Sequence, residues 1–133
     1  MLNKKNNKVY SLTYHLILVV KYRKKVFNST SIIEDTKEKI IQISNDFNVK
    51  IIEQGIDKDH IHILFESEPT LNITKYLNIL KGHSSRFIRS KYKEELQDKL
   101  YGDSFWSDSY YIATCGNVSL SKLIDYLDQQ EKQ

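Results

Sequence analysis

Apolar positions along the chain follow two periods, and their alternation outlines the fold. Residues 10–21 alternate and are rich in β-branched and aromatic side chains, so they read as a strand. Ser31 with Glu34 three positions on forms a capping-box pattern, and Ile33, Ile40, Ile43 and Phe47 follow at helical spacing. That spacing predicts a helix ending near residues 45–48. Residues 49–56 and 60–66 read as two strands joined as a hairpin at Asp57-Lys58-Asp59. After Pro69 a second helix starts near Asn72, with Ile73, Tyr76, Leu77, Leu80, Phe87 and Ile88 on its buried side. Residues 107–114 make a fourth strand. A closing helix spans about 119–130, its stripe formed by Leu120, Leu123, Ile124 and Leu127. The order β-α-β-β-α-β-α contains the split βαβ of a ferredoxin-like, α+β antiparallel sheet, with the last helix as an addition.

Length and composition narrow the class. A chain of 133 residues can form one domain and bury about two-thirds of its unfolded surface, so it needs no disulfide. Its one cysteine, Cys115, lies in an apolar neighbourhood that predicts a buried structural thiol rather than a nucleophile. No repeat or linker divides residues 1–133. With no signal-peptide pattern and no apolar run long enough to cross a bilayer, a cytoplasmic location and no membrane partner are expected. The net charge of +3 and pI near 8.8 are only mildly basic, so distribution matters more than total. Lys21, Arg23, Lys24 and Lys25 surround Tyr22, and a second basic series runs through Lys81, His83, Arg86, Arg89 and Lys91. Such blocks commonly form a solvated face. Here they are interleaved with aromatics and uncompensated by local acids, which favours a nucleic-acid partner.

Candidate chemistry begins at His60-Ile61-His62. Residues two apart on a strand share a face, so both imidazoles project together while Ile61, Ile63 and Phe65 project to the other side. Two neutral imidazoles at that spacing suit a divalent metal. With four histidines in the chain, a pair two apart arises by chance in roughly one sequence in ten, so the pair alone is not decisive. On the closing helix, Tyr126 and Gln130 are four apart, one turn from each other. A tyrosine hydroxyl is a possible nucleophile and a glutamine carbonyl oxygen a hard metal ligand. Spacing alone favours the plainer reading, a tyrosine packed at a helix flank and a surface amide.

The segments that carry a family resemblance stand in order along the chain. They are residues 14–23, opening Tyr14-His15 and closing Lys21-Tyr22-Arg23; His60-Ile61-His62-Ile63-Leu64; and residues 76–86, which include Lys81-Gly82-His83 and Arg86. Phe105-Trp106-Ser107-Asp108 follows, then Gly116 and residues 124–130 with Tyr126 and Gln130. Together they resemble the single-tyrosine HUH transposases of small insertion sequences, the TnpA type. The resemblance implies that His60, His62 and Gln130 bind Mg²⁺ or Mn²⁺ and that Tyr126 on the added helix is the nucleophile. It implies cleavage and rejoining of single-stranded DNA at element ends through a 5′-phosphotyrosine, with end hairpins recognised. It also implies a homodimer with composite sites, for which Gly116 gives backbone freedom in the 114–117 link. The contacts expected for DNA are Lys21, Tyr22, Arg23, Lys24, Lys25, His83, Arg86 and Arg89. Neither His15 nor His83 is expected to be a ligand. No nucleotide cofactor is expected, since the covalent link conserves the phosphodiester energy and no Walker-type loop is present. Relatives usually carry more sequence beyond the position of Gln130, so the resemblance leaves open how the last helix is anchored.

Two other readings compete. A non-catalytic nucleic-acid module would use the same sheet as a platform, but the RNP signature of that class is absent. An HUH nicking enzyme would form the same adduct without joining DNA.

Overall fold

The computed structural model describes residues 12–100, 102, 104–115, 124–125 and 128–129. Strand β1 (Leu12–Val20) leads through a short 3₁₀ turn (Lys21–Arg23) to helix α1 (Thr30–Asn45). The hairpin of β2 (Lys50–Asp57) and β3 (His60–Ser67) follows, then α2 (Ile73–Lys91), a short α3 (Lys93–Leu96) and β4 (Trp106–Thr114). The strands form one sheet in the order β2-β3-β1-β4. β1 runs antiparallel to both β3 and β4, and β2 antiparallel to β3. This is the α+β, split βαβ topology expected from the hydrophobic pattern. Ile124, Asp125, Asp128 and Gln129 have helical backbone, in keeping with the added helix, while Tyr126 and Gln130 lie outside the described residues. Among the described residues, no helix is long and apolar enough to cross a membrane.

The sheet has a packing face and a second face. Leu16, Leu18, Val20, Ile61, Ile63 and Phe65 point to one side and meet Ile32, Ile40 and Ile43 of α1 and Tyr76, Leu77, Leu80 and Ile88 of α2. Two buried hydroxyls in this layer are satisfied, as burial demands. Ser44 Oγ lies 2.7 Å from Tyr76 Oη, and Ser84 Oγ donates to Leu80 O at 2.6 Å while accepting from Trp106 Nε1 at 2.9 Å. On the second face Ile17 and Val19 are covered by Tyr111, Ala113 and Ile124. A residue of the added helix therefore docks on the side of the sheet that carries the histidines.

Two local expectations are corrected. The first helix begins at Thr30, and its cap is Ser29, whose Oγ accepts from Ile32 N–H; Ser31 lies inside the first turn, so its spacing to Glu34 is not a capping box. Cys115 is exposed rather than buried, because it follows the end of β4 beyond the covered part of the sheet.

Candidate active site

Strand register assembles the site. His60 pairs with Val19 of β1 and Asp57 of β2, and His62 with Ile17 and Gly55. Directly paired residues share a face, so both histidines stand on the second face, as their spacing predicts. His15, one pair further along β1, shares it. His60 is 9% exposed, and its Nδ1 lies 2.8 Å from Asp59 Oδ1. A carboxylate on Nδ1 fixes the ring and leaves Nε2 for another partner, the usual support of a metal-binding imidazole. Burial would raise the Asp59 pKa, but hydrogen bonds from His60 and Arg23 more than offset it and hold the carboxyl below its ordinary range.

His62 lies across Gly55. A Cβ added at Gly55 would sit 2.1 Å from His62 Nε2, so only glycine leaves room for the ring where it is. His62 Nδ1 is buried and, among the described residues, has no hydrogen-bond partner. Burial pushes the imidazole below the ordinary histidine pKa. Glu53 opposes that shift, and His60 and His15 add to it. A neutral imidazole with an unsatisfied ring nitrogen, beside a second one held by a carboxylate, fits a divalent metal. Among the described residues no group of three or more His, Cys, Asp or Glu side chains gathers as a metal site.

The basic candidates divide between two layers. The turn at Lys21–Arg23 adjoins the histidine end of the sheet, where Val20 N–H donates to Asp59 O at 2.9 Å. Tyr22 is 76% exposed, and Lys21, Tyr22 and Lys24 line a concavity with Lys99, Leu100 and Ser104. Lys25 is also exposed. Arg23 binds two carboxylates, Asp59 at 3.0 Å and Asp128 at 3.1 Å. His83, Arg86 and Arg89 belong to α2, in the layer packed on the opposite face. His83 and Arg86 are exposed, whereas Arg89 donates to Ser104 O at 2.6 Å and to Gly102 O. Gly82, Ser85, Arg86 and Arg89 line a second basic concavity. The loop at Ser104 joins the two groups, since Lys21 Nζ also reaches Ser104 Oγ at 3.5 Å.

Three features escape a reading of the motif alone: Gly55, Asp59 as the His60 partner, and Arg23 as a bridge. Gly55 had a signal, a glycine inside a strand pattern, which marks a close approach. The other two depend on contacts formed only by folding.

Comparisons with known proteins bear on the family and the fold. The sequence profile described as "Transposase IS200 like" matches residues 8–130. The ISDra2 transposase TnpA of Deinococcus radiodurans is 31% identical over 122 residues, covering 92% of this chain and 86% of that protein. The transposase for insertion sequence element IS200 of Salmonella typhimurium is 28% identical over 123 residues, covering 91% and 78%. A crystal structure of a candidate transposase from Deinococcus radiodurans superposes with a TM-score of 0.85 at 26% identity, covering 97% of this chain and 98% of that one. The structure of a REP-associated tyrosine transposase bound to a REP hairpin shares the fold, with a TM-score of 0.51 at 13% identity over 89% of this chain and 61% of that one. With a family match across nearly its whole length, on the fold that carries the paired histidines, the chain belongs to the IS200-like transposases.

Proposed function

We propose that this transposase cleaves and rejoins single-stranded DNA at insertion-sequence ends, with Tyr126 as nucleophile. The observation that carries the reading is the pair of imidazoles on one sheet face, His60 held by Asp59 and His62 given room by Gly55. His60 and His62, with Gln130 as third ligand, would hold Mg²⁺ or Mn²⁺. When bound, the ion supplies charge stabilisation at the non-bridging phosphate oxygens. Two imidazoles and one amide lack the carboxylates that usually hold magnesium, so affinity is expected to be weak until DNA contributes oxygens.

The phenol of Tyr126, with a reference pKa of about 10, must lose its proton as it attacks the scissile phosphorus. The P–O3′ bond breaks, the leaving 3′ oxygen takes up a proton, and the 5′ phosphate stays on the tyrosine. Attack by a different 3′-OH reverses the step and joins new strands. Exposed Tyr22 offers a stacking surface for an unpaired base, Lys24, Lys25 and Arg86 offer cations for the phosphates of a hairpin, and exposed His83 offers a ring N–H donor.

A second subunit enters the same reading. Ile124 packs on the sheet and Asp128 pairs with Arg23, so these two positions, one turn apart, define the seated side of the helix. Composite sites in a homodimer, with the histidines of one subunit and the tyrosine helix of the other, belong to this reading as the family resemblance implies.

The test is an adduct assay with a labelled single strand bearing an element end, with Mn²⁺, resolved under denaturing conditions. The unmodified chain is expected to form a covalent adduct, and Tyr126→Phe to lose it while still binding the DNA. An undiminished adduct in Tyr126→Phe would overturn the assignment.

A further inference from the structure

Tyr22 and Arg23 are consecutive non-glycine residues in the left-handed region, at φ 57° and 52°. L-residues avoid that region unless their surroundings over-determine it. Here main-chain bonds clamp both ends of the turn. Lys21 N–H donates to Phe105 O at 2.8 Å, and the N–H groups of Val26 and Phe27 both donate to Lys58 O, at 3.0 and 3.1 Å. The turn sets the Arg23 guanidinium between two carboxylates. Nε donates to Asp59 Oδ2 at 3.0 Å and Nη1 to Asp128 Oδ1 at 3.1 Å. The second oxygen of Asp59 meets His60 Nδ1 at 2.8 Å. A continuous chain of charge-assisted bonds therefore runs from the added helix to the first histidine.

We infer that Arg23 is a positioning residue, a latch that couples the seating of the terminal helix through Asp128 to the orientation of His60 through Asp59. Its charge is already matched by two carboxylates, which suits this role better than a phosphate contact. The planar guanidinium is needed because its fork holds two acceptors at a fixed angle, which a lysine ammonium does not. Coupling of this kind is reciprocal: whatever steadies His60 steadies the helix, and release of the helix loosens His60. The metal-binding half of the consequence rests on the proposed role of His60, whereas the bond chain itself does not.

Three readouts separate the two. Amide exchange at 124, 125, 128 and 129 reports helix seating, the ¹⁵N shifts of the His60 ring report its orientation without metal, and Zn²⁺ titration reports ligation. All are made in the Gln130→Ala chain, so that direct ligation from the helix cannot mimic the coupling. Arg23→Met is expected to raise helix exchange about fivefold, to shift the His60 ring signals, and to weaken Zn²⁺ binding about tenfold, as loss of an outer-shell partner does. Asp128→Asn, at a half-exposed carboxylate that leaves the Asp59–His60 bond in place, should move the same readouts in the same direction by less. Arg23→Lys should restore one end of the chain and not both. Unchanged helix exchange, or unchanged His60 ring signals, in Arg23→Met overturns the latch. Exchange in β1 and β3 checks the fold, and if Arg23→Met disturbs it, Asp128→Asn decides by the same criteria. Zn²⁺ that binds equally well to His60→Ala would overturn the metal reading, leaving the latch to stand or fall on the two metal-free readouts.

Discussion

On the helix-covered face of the sheet, Leu16, Leu18, Ile61, Ile63 and Phe65 are wholly buried among α1 and α2. The opposite face of the same strands holds His15, His60, His62 and the bare backbone of Gly55, and among the described residues Tyr111, Ala113 and Ile124 pack on it. The first face is redundant: many side chains each contribute dispersion and burial, and neighbours close over a small change. The second depends on single atoms, such as the Asp59 oxygen on His60 and the missing Cβ opposite His62. One period-2 pattern supplies both, so a change of one position along β3 exchanges a stability defect for a functional one.

Substitutions along β3 and its neighbours test how sharply the faces divide. The largest effect is expected from Phe65→Ala, which empties the space between Tyr14 and Tyr76. It should cost about 3–5 kcal/mol by denaturant unfolding, with adduct chemistry per folded molecule retained. Next, His62→Ala should lower the rate of adduct formation about 100-fold, equivalent to about 2.7 kcal/mol of barrier, with an unfolding midpoint close to the parent. An equal fall in both quantities would mean the two faces are not separable. Gly55→Ala sharpens the division further, because the new methyl meets a side chain that can rotate aside. Its expected signature is about a tenfold loss of Zn²⁺ affinity, the size seen when support of a ligand is removed, with little change in stability. The smallest effect belongs to Tyr76→Phe, which removes one buried hydroxyl and leaves Ser44 without its partner. Unfolding should be easier by about 1 kcal/mol and catalysis unaffected.

Periodicity alone determined the element order, the antiparallel sheet and the placement of both histidines on one face, because side-chain direction in a strand follows directly from position. Family-specific segments such as those around residues 60–64 and 124–130 resemble the transposases without reference to any tertiary contact. Local capping was less legible: Ser29 and Ser31 offer the same hydroxyl, and only the path of the chain into α1 selects Ser29. Likewise Cys115 has apolar neighbours in sequence and solvent in space. Asp59 reads as a turn residue and Arg23 as one more cation in a basic run. Their joining of His60 to Asp128 exists only because the 21–23 turn, the hairpin tip and the added helix converge. Contacts between residues far apart in the chain carry no local signature, so the support of the histidines was decided by the tertiary structure, whereas the histidines themselves were written in the sequence.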